Sequence, residues 1–391
     1  MTNNLFREIQ SDPILRIYGA FVSLFLTLTA LHWILSNAAH VASHDSEAIC
    51  WAMFENCALF RVLGIQQLIW LFYGLGFMSL VTAVLFLFPS RVQTAYWMLL
   101  GLNIMKHMII FLDYRLRLNQ HIMAFWVTAV FLFLPHKKVA IRILIILFYF
   151  WSGILKLNPE WFSGAALYIK PWLFEGPWLP IACIYVVILE ILFVWGLLWD
   201  RSKIAWAVFA QLILFHIFSF KIVGFYYPVL MFLMISIFPL CWFLEKESSW
   251  KISTSVLVVA VLFSSLQIFS KTFPGDTAIT GEGRLFSLHM FDSLTQCEAR
   301  AEIKLTDGRV FHKNIEFPTS ARTRCDPLVY LNRVRTLCSY GKLNPAFSNI
   351  DWSLKTKHSI ERDLKTVVDI KDFCSKPIEY AVFKHNDWIR D

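Results

Sequence analysis

The run Tyr149-Phe150-Trp151-Ser152-Gly153-Ile154-Leu155-Lys156-Leu157-Asn158-Pro159-Glu160-Trp161-Phe162-Ser163-Gly164 ends an apolar stretch on a lysine, then adds a turn, an acid and a tryptophan. An ammonium at the edge of hydrocarbon loses hydration and is driven toward the neutral amine, so Lys156 either snorkels to a membrane interface or serves as a base. Other ionisable residues also interrupt apolar stretches: Lys106 and His107, Glu190, His216 and Lys221, with His121 opening a further one. Inside a bilayer such groups carry function or pair across helices, and the plainer expectation for Lys106, His107 and Glu190 is a set of interhelical pairs. His121 follows Asp113-Tyr114-Arg115-Leu116-Arg117-Leu118-Asn119-Gln120 on the side expected for Lys156, so a histidine, an acid and two arginines can converge there. For His216 the plainer reading is a hydrogen bond to a neighbouring helix. Trp161, Trp172 and Trp178 flank Pro159, Pro171, Pro177 and Pro180, as an interfacial aromatic belt or as a re-entrant lid over a flat apolar ligand.

The elements that position these residues are membrane helices. The chain of 391 residues is 57% hydrophobic and 16% charged, with mean hydropathy +0.55, which excludes an ordinary soluble globular protein. Nine apolar stretches run from Ile14 to Leu35, Ile65 to Phe88, Thr94 to Leu112, His121 to Leu134, Val139 to Leu155, Pro180 to Trp199, Ile204 to Ile222, Phe225 to Leu244 and Ser253 to Phe269. The first exceeds the hydrophobic length of a signal peptide and reads as a retained anchor. With a cytoplasmic N-terminus the inner loops receive Arg7, Arg91, Lys137, Lys138, Arg142, Arg201, Lys203, Lys246 and Lys251, against Arg61, Arg115, Arg117, Lys156 and Lys170 outside. The expected fold is an all-α polytopic bundle over residues 1–269 followed by an extracytoplasmic α+β domain over 270–391.

In that outer domain Leu285 to Phe291 reads as a strand, and Ala299 to Leu305 and Val310 to Phe317 read as a hairpin around Asp307-Gly308. Asp326-Pro327 opens a helix that Gly341 closes. Cys50, Cys57, Cys297, Cys325, Cys338 and Cys374 all fall outside the spans, an even number suited to disulfides in an oxidising compartment. Cys325 and Cys338 lie at the two ends of the helix, about 20 Å apart, and bridged Cα atoms sit within about 7 Å, so they cannot pair with each other. Each must find Cys297, Cys374, or the first outer loop with Cys50 and Cys57; a local Cys50–Cys57 bridge and a bridge from that loop to the outer domain both remain open.

The lysine segment resembles the HTTM family of membrane proteins, which includes the vitamin K-dependent gamma-glutamyl carboxylases. The family shows an aromatic-rich helix and then K-L-(D/N)-x-(D/E)-W-x-x-G, where this chain has Lys156, Leu157, Asn158, Glu160, Trp161 and Gly164. Asn119-Gln120-His121 resembles the family's Asn-Asn-His, and Phe215-His216 with Phe225 and Pro228 resembles its Phe-His…Phe-Pro pattern, without the Asn-Ser that follows it there. The resemblance covers roughly residues 10 to 245 and implies Lys156 as base toward a reduced naphthoquinone of the vitamin K or menaquinol type, with His121 as its polar neighbour. It implies Asn119, Glu160, Trp161 and His216 as binding residues. In the carboxylases the quinol and oxygen yield a strong base that takes the gamma proton of a glutamate, which captures carbon dioxide as the quinone becomes an epoxide. Their larger lumenal region, which grips a propeptide, has no counterpart of that size in residues 270–391.

Two functions follow. One is an integral membrane enzyme of carboxylase or epoxidase type, in a bacterial inner membrane; the other is a non-catalytic membrane protein that anchors a disulfide-bonded outer domain for binding or assembly. Neither reading includes a metal, since no C-x-x-C spacing occurs, nor nucleic acid, since the net charge of +8 is largely loop charge and the outer domain is near balance.

Overall fold

The computed structural model describes residues 2–54, 56–167, 174–245, 253–289, 294–316 and 323–390. The chain divides into two compact units, one of residues 1–47, 61–112 and 116–265 and one of 48–60, 113–115 and 266–391. Lys170, Pro171, Trp172, Lys246, Lys251, Phe291 and Phe317, used in the sequence reading, lie outside the described residues.

All nine apolar stretches are helical: α1 Pro13–Leu35, α2 Ile65–Leu87, α3 Val92–Phe111, α4 Asn119–Phe133, α5 Lys137–Leu155, α6 Trp178–Leu198, α7 Lys203–Val223, α8 Tyr226–Leu244 and α9 Thr254–Phe269. Among the described residues six of them, α1, α2, α5, α6, α7 and α8, are long and apolar enough to cross a bilayer. The other three fall short of the expected nine spans: α4 and α9 have only 15 and 16 residues, and Asn103, Lys106 and His107 lower the hydropathy of α3. Two helices depart from a regular α course, α6 winding as a 3-10 helix over Phe193–Leu198 and α8 breaking at Ser236.

Exposed side chains in this unit are those a lipid solvent tolerates. Trp70, Phe77 and Val84 repeat at seven-residue spacing along one face of α2 and are 66%, 65% and 54% exposed. Polar groups on the opposite faces find partners, as where Tyr18 Oη donates to the Met234 carbonyl at 3.1 Å and Thr27 meets Ser79 at 2.6 Å. One end of the bundle gathers ion pairs: Lys138 with Asp12 and Glu245, and buried Arg142 with Asp200, which also accepts from Trp242 Nε1.

The second unit is built on an antiparallel sheet in the order β2-β1-β3-β4, with β1 Gln296–Leu305, β2 Val310–Asn314, β3 Phe347–Lys357 and β4 Lys365–Ile370. The β1–β2 hairpin turns at Gly308, whose φ of 87° suits glycine. Helix α10, Pro327–Gly341, starts where Asp326 accepts from the Leu328 N–H. Leu285 to His289 is turn and irregular chain, not the expected strand. Its backbone is bonded to side chains instead of a ladder: Leu288 N–H donates to Gln267 Oε1, and Gly281 and Gly283 hold positive φ just before it.

Six of the eight cysteines form Cys50–Cys57, Cys297–Cys325 and Cys338–Cys374, with Cα separations of 5.3, 5.6 and 5.5 Å. Cys325 and Cys338 each take a partner away from their shared helix. The first loop does join the C-terminal part of this unit, by hydrogen bonds rather than a bridge: Cys50 N–H donates to Asn332 Oδ1 and Asn332 Nδ2 donates back to the Cys50 carbonyl, while Tyr114 Oη, from the residues after α3, donates to Asp326.

Candidate functional site

Lys156 caps the C-terminus of α5 and is only 3% exposed, so it does not snorkel. Its Nζ lies 2.5 Å from Oε2 of Glu190, which is fully buried on α6. Glu190 sits twelve residues along α6 from Trp178, about 18 Å at the α-helical rise, which puts the pair deep within the bundle. Trp178, the first residue of α6, is 65% exposed.

Close approach of two helices makes the pair. A Cβ on Gly153 would stand 2.6 Å from Ile191 Cγ1 and 3.0 Å from Glu190 Cβ, so the absence of a side chain lets α5 and α6 touch one turn before the lysine. The residues after Lys156 then fold back as a short helix, Pro159–Phe162. Asn158 caps it, its Oδ1 accepting from the Trp161 N–H at 2.9 Å while Nδ2 donates to the Leu155 carbonyl. Gly164, at φ 75°, makes the turn that lets the Ala166 N–H reach the Glu160 carbonyl. Trp161 is thereby fixed with Nε1 donating to the Cys183 carbonyl and its ring 5.2 Å from Lys156 Nζ.

A third helix completes the site. From α7, the Phe215 ring lies 6.0 Å from Lys156 Nζ, and His216 Nε2 is 2.6 Å from Tyr149 Oη on α5. Glu190 Oε1 and His216 Nδ1 are buried with no hydrogen-bond partner among the described residues. A cation, a carboxylate and an imidazole thus converge, two of them with an unused polar atom, between aromatic faces. Such a set can hold and pass a proton, and it offers bonds to a flat ligand carrying hydroxyl or carbonyl oxygens.

The structure draws Lys156, Trp161 and His216 together. Glu160 is buried in the same short helix, but the carboxylate on Lys156 is that of Glu190. His121 keeps other company: its Nδ1 is 3.1 Å from Tyr226 Oη, and its ring lies near those of Trp33 and Tyr226. Among the described residues no hydrogen bond, ion pair or ring contact joins His121 to Lys156. Asn119, half-buried, is the first residue of α4. The two histidine sites flank one dipeptide, Tyr226 facing His121 and Tyr227 facing His216 at 5.4 Å.

Sequence reasoning missed Glu190 as the partner of Lys156, together with Tyr149 and the Phe215 ring. A signal for Glu190 was present, since it is the sole Asp or Glu in α1 to α9. No group of three or more metal-ligating side chains of the His, Cys, Asp and Glu types occurs among the described residues.

Compared with protein-family models, with curated proteins and with solved structures, the chain matches none.

Proposed function

We propose that this chain is an integral membrane enzyme related to the vitamin K-dependent carboxylases, acting on a reduced naphthoquinone with Lys156 as the base. The observation that carries the reading is the buried Lys156–Glu190 pair with unused polar atoms on Glu190 and His216 beside it. A lysine and a carboxylate in a dry site can share one proton, moving from ammonium and carboxylate to amine and carboxylic acid without any net change of charge. The amine so formed can accept a proton from an acidic hydroxyl, with Glu190 keeping the displaced proton in reach.

The residues present fit a quinol. The rings of Trp161 and Phe215 suit a flat apolar body, while Glu190 Oε1 accepts from a hydroxyl and His216 Nδ1 either accepts or donates, according to which way Tyr149 orients the ring. When bound, a reduced naphthoquinone would supply the electrons and, with oxygen, the strong base that the family uses for carboxylation. Lys156 and Glu190 manage its first proton, and Tyr149 fixes His216.

Residues 48–60 of the loop after α1, 113–115 after α3 and the chain from Leu266 onward fall in one compact unit. All three follow odd-numbered helices, which supports nine crossings, while Lys138, Arg142, Asp12 and Asp200 gather at one end of the bundle. On this reading the basic residues there lie on the cytoplasmic side of a bacterial inner membrane, and the disulfides suit an oxidising compartment.

The competing reading, a non-catalytic anchor for the outer unit, draws on the same pair as a tie between α5 and α6. Turnover of a reduced naphthoquinone by the wild type, lost in Lys156→Arg as fully as in Lys156→Ala, supports the enzyme, because a guanidinium cannot become a neutral base. Unchanged turnover in Lys156→Ala would refute it.

A further inference from the structure

Glu190, the sole carboxylate in α1 to α9, is taken by Lys156. Lys106 on α3, 1% exposed, therefore has no acid to pair with, and among the described residues it makes no ion pair or hydrogen bond. The groups within Coulombic reach of it are further bases: His107 beside it and His121 on α4, with His32 of α1 also acting on His121. A buried lysine with histidines and no carboxylate for neighbours lacks a counter-ion that an anion could supply.

The hydrogen bonds fix what His121 offers. Thr29 Oγ1 donates to the Phe25 carbonyl at 2.8 Å, so at 2.9 Å from Tyr226 Oη it is the acceptor and Tyr226 the donor. Tyr226 Oη then accepts from His121 Nδ1–H at 3.1 Å. In the neutral ring Nε2 carries the lone pair, and that atom is buried without a partner. His107 is oriented likewise, Nδ1–H donating to the Asn103 carbonyl at 2.7 Å.

We infer that Lys106 and His121 form a receiving site for a ligand carboxylic acid. Such a group has the two features the site lacks, an acidic O–H for the Nε2 lone pair or the amine, and oxygens to accept from Lys106. Binding to the amine form conserves charge: a neutral acid gives its proton from the carboxyl oxygen to Lys106 Nζ, and a compact ion pair results within the bundle. The flank at His107 indicates the source. His107 is packed edge-on against Phe125, which is 47% exposed, and Ile104 and Met108 beside it are 54% and 66% exposed, so the approach lies along the apolar surface and suits a carboxylic acid with a hydrocarbon tail. The inferred site contains neither Lys156 nor Glu190, and its test reads binding rather than turnover.

The test is equilibrium binding of labelled oleic acid to the purified full-length protein in a neutral detergent, with oleyl alcohol and acetate as competitors. Saturable binding that oleyl alcohol does not displace, weakened at least tenfold in Lys106→Met, is expected. Displacement by acetate at comparable concentration would keep the carboxylate chemistry and assign the ligand to the aqueous phase. Lys106→Gln, which keeps a donor but cannot take the proton, should lose binding as well and serves if Lys106→Met fails to fold. Equal affinity in the wild type and a folded variant, or no saturable binding of either acid, would overturn the inference.

Discussion

Lys156 and Glu190 meet at 2.5 Å because Gly153 and Ile191 let their helices touch. The lysine that begins the family-like motif is thus a buried partner of a second helix, not an interfacial anchor, and its chemistry belongs to a pair.

Removing one member of that pair should be far more harmful than removing both. Glu190→Gln leaves Lys156 buried without its carboxylate and should cost about 3–5 kcal/mol, whereas Lys156→Met with Glu190→Leu should recover most of that stability. Thermal melts in detergent measure both; equal loss in the single and double variants would contradict a coupled pair. The double variant should still be inactive, which separates stability from catalysis.

Gly153→Ala adds a methyl group 2.6 Å from Ile191 and 3.0 Å from Glu190 Cβ. Forcing α5 and α6 apart should cost about 1–3 kcal/mol. Displacing the lysine from its partner should also lower turnover on the order of 100-fold. A variant with wild-type melting and rate would show that the contact is slack.

Peptide mapping without reduction should return the three bridges as Cys50–Cys57, Cys297–Cys325 and Cys338–Cys374. The last ties α10 to the segment after β4 across 36 residues, and its removal by Cys338→Ser with Cys374→Ser should cost about 2–4 kcal/mol, seen as a lower melting temperature of the sheet-bearing unit.

Acid should weaken the C-terminal sheet through Asp351. Burial on β3 raises this carboxyl, but Lys304, the Asp372 N–H and Lys371 together hold it below its usual 3.8. A carboxyl depressed in the folded state contributes stability that is complete above the unfolded value and is lost as pH falls through the folded one. Asp351→Asn should therefore lower stability by roughly 1 kcal/mol at pH 7, with the difference fading below about pH 4 as the wild-type group protonates. A difference that persists at pH 2 would assign Asp351 a role other than its charge.

Much of this was legible in the sequence where the physics is local. Helical positions of the apolar stretches, the Asp326-Pro327 helix start and the Asp307-Gly308 hairpin follow from hydrophobic runs, caps and turns. Strand β3 carried a readable alternation too, Ile350, Trp352, Leu354 and Thr356 facing inward, yet it escaped notice among charged neighbours. The false strand at Leu285 was an apolar run whose backbone partner is a side chain from α9, Gln267, which no local pattern announces. The same limit hid Glu190: Glu160 is near Lys156 in sequence, but helix contact at Gly153 chose the partner. His121 and Lys156 were expected together on a shared side, and the helices instead give each its own set of neighbours.

The most direct measurement is mass spectrometry of the quinone species formed when the purified protein is incubated with a reduced naphthoquinone and oxygen, for the wild type, Lys156→Ala and Glu190→Gln. The account predicts epoxide from the wild type, none from Lys156→Ala and strongly reduced amounts from Glu190→Gln. Equal epoxide from folded Lys156→Ala, or none from the wild type across several naphthoquinones, would contradict it.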